Sequence, residues 1–193
     1  MENKLGQIWI ETALYLLIGI SLIGIFLAFA TPKIQEQKDK VFFESSLESM
    51  RDLDNAILEL RRTGVGNQKK VDFLIRQGQL RIEADNSAEG DDDALVLIVD
   101  ESKYAASEVG SPTSVDVPGT NLEVFTQKHG DGYRIEISRY FDEDVFDLTY
   151  GSSGEDILRE FNYAPTPYTF ILKNMGRTTT GVPLEININE VSS

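Results

Sequence analysis

Glu11 opens an otherwise uncharged run: from Thr12 to Pro32 the chain carries no Asp, Glu, Lys or Arg, and Ile8, Trp9 and Ile10 extend the apolar character on the other side. If that run enters a membrane, the carboxylate lies at the edge of hydrocarbon, where an ionised group is costly unless it meets a cation or stays at headgroup level. Few other residues offer chemistry. His129 is the only histidine and falls in a predicted turn, and cysteine is absent, so a triad would hang on one imidazole and thiolate sites are excluded. No phosphate-cradling glycine motif occurs. Two acidic clusters, Asp85, Glu89, Asp91, Asp92 and Asp93 in one loop and Asp142, Glu143 and Asp144 in another, lack EF-hand spacing; carboxylates at such density coordinate calcium in some extracellular loops, but a solvated loop is the commoner outcome. Thr178, Thr179 and Thr180 fall in a predicted loop tip without an assignable role. The expectation is a protein that is not an enzyme and takes no cofactor or metal.

The element that positions Glu11 is the apolar run itself. The 21 residues from Thr12 to Pro32 cover about 31 Å as a helix, the hydrocarbon thickness of a bilayer, and the transmembrane segment is expected at about 8–32. A cleaved secretory signal has a shorter apolar core of about 7–15 residues. Ser21, Gly24 and Ala28, spaced three and four apart, share one helix face and would permit close packing against another helix.

Helical periodicity continues past Pro32. Phe43, Leu47, Met50, Leu53, Ile57 and Leu60 form one apolar stripe, predicted to dock on the chain's own domain, and the glycines at 64 and 66 supply a stop signal. One long helix is therefore expected over 7–63, kinked rather than ended at Pro32. Beyond it the period switches to that of strands, predicted at 79–84, 94–99, 122–127, 133–138, 145–150, 168–174 and 183–189, with a hairpin turn at His129–Gly132. The fold class is α+β: a long N-terminal helix followed by an antiparallel β-sandwich or small barrel at 64–193. Residues 64–193 hold 23 acidic against 11 basic side chains, and such a surface repels phosphate backbones, so no direct nucleic-acid binding is expected.

The N-terminus MENKLG-QIWIE resembles the type IV prepilin signal, most closely that of archaeal pilins, which often place glutamine directly after the cut and glutamate four residues later. Leu5 stands where that variant usually carries a basic residue. The resemblance implies a leader at 1–6, cleavage between Gly6 and Gln7 by a prepilin peptidase, and a role in subunit assembly for Glu11. It also implies an assembly ATPase and a membrane platform protein as partners, membrane lipid around the helix before assembly, and self-assembly into an extracellular filament that serves adhesion. The C-terminal domain would lie outside the cell, and APTPYTFILKNMG looks similar to part of archaeal pilin heads. Physically, cleavage would create an α-ammonium about 6 Å along the helix from Glu11, and a neighbouring subunit displaced along a filament axis would match one charge to the other.

A second reading is a single-pass surface binding protein that does not polymerise. Lys33, Lys38 and Lys40 follow the apolar run while Lys4 alone precedes it, and the positive-inside tendency favours the opposite orientation from the one a pilin requires.

Overall fold

The computed structural model describes residues 3–84, 93–111, 113–152, 154–177 and 181–191, with side chains from Trp9 onward. The chain divides into two compact units, residues 1–38 and 39–193. Helix α1, Asn3–Arg61, runs through Pro32 without ending. Its apolar N-terminal stretch is long and apolar enough to cross a membrane, and that stretch is unburied.

Residues 39–61 of α1 belong to the second unit, where Met50, Leu53, Ala56, Ile57 and Leu60 join the core and Phe43 and Leu47 pack on its margin. The predicted stripe is thus a docking face for its own domain. The helix stops at Arg61, a favourable charge for its C-terminal dipole. Two tight turns complete this end, Arg62 N donating to Glu59 O and Thr63 N to Leu60 O, each at 3.0 Å. The carbonyls at this terminus also meet an amide from far away: Asn174 Nδ2 donates to Leu60 O at 2.8 Å and to Thr63 O at 3.1 Å.

Among the described residues the rest of the second unit forms ten strands: β1 Gln68–Phe73, β2 Gln79–Glu83, β3 Asp93–Ser102, β4 Val115–Asp116, β5 Glu123–His129, β6 Gly132–Phe141, β7 Phe146–Tyr150, β8 Leu158–Asn162, β9 Tyr168–Gly176 and β10 Leu184–Val191. They form a four-stranded sheet in the order β1-β9-β10-β7 and a six-stranded sheet in the order β4-β5-β6-β3-β2-β8. All seven predicted strands are present, and His129 pairs Gly132 across the predicted hairpin.

The expectation of antiparallel pairing throughout is corrected. The six-stranded sheet obeys it, but β10 runs parallel to β7, with Leu184 beside Phe146 and Ile188 beside Tyr150. Strand β10 turns back from β9, and the chain from Gly151 to Pro183 between β7 and β10 is long enough for the crossover that parallel neighbours need. Alternation of buried and exposed residues is blind to this choice, since both pairings bury every second side chain.

The sheets share one core with the helix, and among the described residues no strand closes them into a barrel. Phe161 on β8 meets Phe170 on β9 edge-on with ring centres 5.1 Å apart, and Phe141 on β6 meets Phe146 on β7 at 5.5 Å. Close approach also fixes Gly78 before β2: its φ is +89°, and a Cβ there would fall 2.0 Å from Ile98 O.

Three carboxylates that a sequence would place in solvent are buried. Asp39 Oδ2 accepts from Lys103 N at 2.6 Å, Asp93 Oδ2 from Leu148 N at 2.6 Å, and Asp54 Oδ1 from Arg139 Nε at 2.8 Å. Each charge leaves water only against a directed donor, as low-dielectric burial demands.

Candidate functional site

The residues singled out by sequence fall in the first turns of α1. Gly6 and Gln7 are helical and continuous with the apolar stretch of α1, while Met1 and Glu2 of the expected leader lie outside the described residues. Glu11 is exposed, and its Oε1 accepts from the Tyr15 hydroxyl at 3.3 Å. Sequence reasoning passed over Tyr15, although the i, i+4 spacing that brings the two together was there to read.

Around and beyond Glu11 the helix presents apolar side chains on every side. Trp9 is 81% exposed and Phe29 75%, and Leu16, Ile20, Leu22, Ile23 and Phe26 are exposed as well. In water such a surface is the largest unfavourable feature of the molecule, since soluble chains rarely leave a contiguous apolar patch of this extent. Two of its hydroxyls are already satisfied within the helix, as lipid or a bundle of helices would require: Ser21 Oγ donates to Leu17 O and Thr31 Oγ1 to Leu27 O, both at 2.7 Å.

Ser21, Gly24 and Ala28 are exposed on the face the spacing assigned to them, and a Cβ built at Gly24 meets nothing within 4 Å. Another backbone could approach closely there. A second feature shares Ser21: Trp9, Thr12, Ala13, Leu16, Leu17 and Ile20 line an open apolar furrow on a side of the helix that, at 3.6 residues per turn, faces largely away from Glu11. The helix therefore has two unlike sides, one bearing the carboxylate and its tyrosine and one bearing the furrow, and the structure does not bring Glu11 together with the small residues.

The other candidates lie elsewhere in the chain. His129 is exposed at the end of β5. Asp142 and Asp144 lie in an exposed turn, where Asp142 O accepts from Val145 N at 2.8 Å and Asp142 Oδ1 from Asp144 N at 2.9 Å. Of the other acidic cluster, Asp85, Glu89, Asp91 and Asp92 lie outside the described residues, as do Thr178, Thr179 and Thr180, while Asp93 is committed to Leu148 N. Among the described residues no group of three or more His, Asp or Glu side chains is placed to hold a metal ion.

Two acids on the strands are held above their ordinary range. Burial pushes the Glu136 carboxyl up, with Arg81 and Arg134 acting against it. Burial likewise raises Asp147, reinforced by the neighbouring charges of Asp156 and Glu185. No protein-family model, curated protein or solved structure matches the chain.

Proposed function

We propose that this chain is a structural subunit of an extracellular type IV pilus-like filament, cut between Gly6 and Gln7 by a prepilin peptidase and assembled through its apolar N-terminal helix. The observation that carries the reading is a single carboxylate, Glu11, standing on an exposed apolar helix and hydrogen-bonded to a tyrosine hydroxyl, four residues beyond the glutamine that cleavage would make the new N-terminus. A free α-ammonium on a neighbouring copy supplies a countercharge. In a desolvated bundle that pairing is strongly preferred to either charge alone and sets the stagger between subunits.

Before assembly the same helix holds the chain in the membrane by one pass, with residues 64–193 outside. In the filament the helices form the centre, and the two-sheet head, a sandwich in this reading, forms the acidic outer surface through which the filament adheres. The assembly ATPase and its membrane platform are the partners that extract each subunit. The competing reading, a single-pass surface binding protein that never polymerises, draws on Lys33, Lys38 and Lys40 after the span, which favour the reverse orientation.

The mass of the N-terminal peptide separates the two. Protein taken from the membranes and sheared surface material of its native host is expected to begin at Gln7, and a Gly6→Val variant to remain full length and absent from the sheared fraction. A native chain that still begins at Met1 defeats the filament reading.

A further inference from the structure

Residues Arg51, Asp54, Asn55 and Leu58 of α1, at helical spacing three and four, face the turn Pro118–Asn121 between β4 and β5 across a cleft of about 360 Å³. The turn is tightly built: Val117 N donates to Leu122 O at 2.9 Å, Thr120 N to Val117 O at 3.1 Å, and the Thr120 hydroxyl to Val117 O at 2.8 Å. Both walls are therefore held before any ligand arrives, and the volume falls in the range of small-molecule sites.

The charges in the cleft do not cancel. Asp54 is spoken for, since its Oδ1 accepts from Arg139 Nε at 2.8 Å and its Oδ2 from Asn121 Nδ2 at 3.3 Å, an ion pair whose side chains are only 5% and 13% exposed. Arg51 is half-buried, and its Nε is buried with no hydrogen-bond partner among the described residues. The remainder of the half-exposed side chain lines the cleft and makes no ion pair among the described residues, and a guanidinium fork of this kind is matched by a carboxylate that accepts from its outer N–H groups. Around that cation the cleft offers the amide of Asn55, the amide of Asn121, and the apolar flanks of Leu58 and Pro118.

We infer that this cleft is a binding site for a small hydroxylated carboxylate, an acidic sugar of the uronate kind, with Arg51 taking the carboxylate, the amides of Asn55 and Asn121 the hydroxyls, and Leu58 and Pro118 the C–H face of the ring. On a chain of net charge −14 the site selects one anion by geometry against a field that repels anions in general. It stands independently of N-terminal processing, because every residue in it belongs to the second compact unit.

The test titrates the full chain in neutral detergent micelles with glucuronate, glucose and acetate, followed by saturation-transfer NMR and calorimetry. Saturable glucuronate binding is expected, with glucose and acetate each about tenfold weaker or more, since each lacks half of the recognised groups. Arg51→Gln is expected to weaken glucuronate by about tenfold or more with an unchanged thermal melt, and Arg51→Lys to recover part of the loss. Asn55→Asp, a change at an exposed position, sets a like charge against the ligand and is expected to abolish binding even if the arginine variants fold poorly. The inference is overturned if glucuronate shows no saturable binding, if glucose binds as well as glucuronate, or if Asn55→Asp binds normally. It is equally overturned if Arg51→Gln reduces self-association by light scattering while glucuronate shows no saturation, which would make the carboxylate donor a second copy of the chain.

Discussion

The two halves of α1 are built of the same backbone and obey opposite rules. From residue 9 to 31 nearly every side chain is exposed and apolar, and the one carboxylate is hydrogen-bonded to a tyrosine hydroxyl. From residue 39 to 61 the helix buries its apolar face, yet carries Asp39 and Asp54 at 3% exposure, each matched to a donor from a strand or loop more than sixty residues away. The difference is one of completeness. Apart from Arg51, whose Nε is buried without a partner among the described residues, the second half matches its buried groups within the chain, while the first half leaves its apolar surface uncovered and so specifies an environment that the chain does not contain.

The comparison breaks most sharply under core truncation. Ile57→Ala, at a fully buried position, is expected to cost about 3–4 kcal/mol in denaturant or thermal unfolding of the head. The matched change Leu16→Ala in the first half is expected to leave that transition within about 0.5 kcal/mol, because the side chain is exposed. Equal losses at the two positions would mean that the first half folds against the head after all.

Next in size is Asp54→Ala. It strands the Arg139 guanidinium in a nearly dry site and is expected to cost about 3 kcal/mol in the same measurement, more than a surface ion pair could. A loss below about 0.5 kcal/mol would mean that Arg139 finds water or another acceptor, and that the polar completeness of this half is only apparent.

The smallest effect sharpens the contrast from the strand side. Because burial raises the folded-state pKa of Glu136, the stability associated with its protonation is present below the ordinary carboxylate range and is lost as pH rises through the raised value. Glu136→Gln is therefore expected to stabilise the head at pH 7 by less than about 1 kcal/mol, the gain shrinking as pH falls through the raised value and gone below the ordinary carboxylate range. A gain that persisted undiminished in acid would assign it to packing instead.

Much of the fold was legible in the sequence because it is local. The helix, its stop at the glycines of 64 and 66, and the seven strands with clear alternation all depend on neighbours in the chain. Strands β1, β4 and β8 escaped because QKKVDF and LREFN each carry only two apolar residues and β4 is a two-residue pair, so their pairing is imposed by β9, β5 and β2. The buried carboxylates escaped for a related reason, since an aspartate on a helix reads as solvated until its distant donor is known. As a candidate, Glu11 stands out in the sequence by its spacing to Gly6 and Gln7, whereas the cleft at Arg51 does not, because its two walls are joined only by tertiary structure.

Asn174 carries a consequence for the order of events in time. The last turn of α1 is sealed by an amide 114 residues further along the chain, on a strand that itself pairs with β1 and β10. A nascent chain emerging from its N-terminus can form the helix early but cannot close its end until nearly the whole head has appeared, and contacts of such long separation are the slow ones to form. Whatever machinery handles the young chain meets an exposed apolar helix whose C-terminal end is still open, and the closing of that end coincides with completion of the β9–β10 pair.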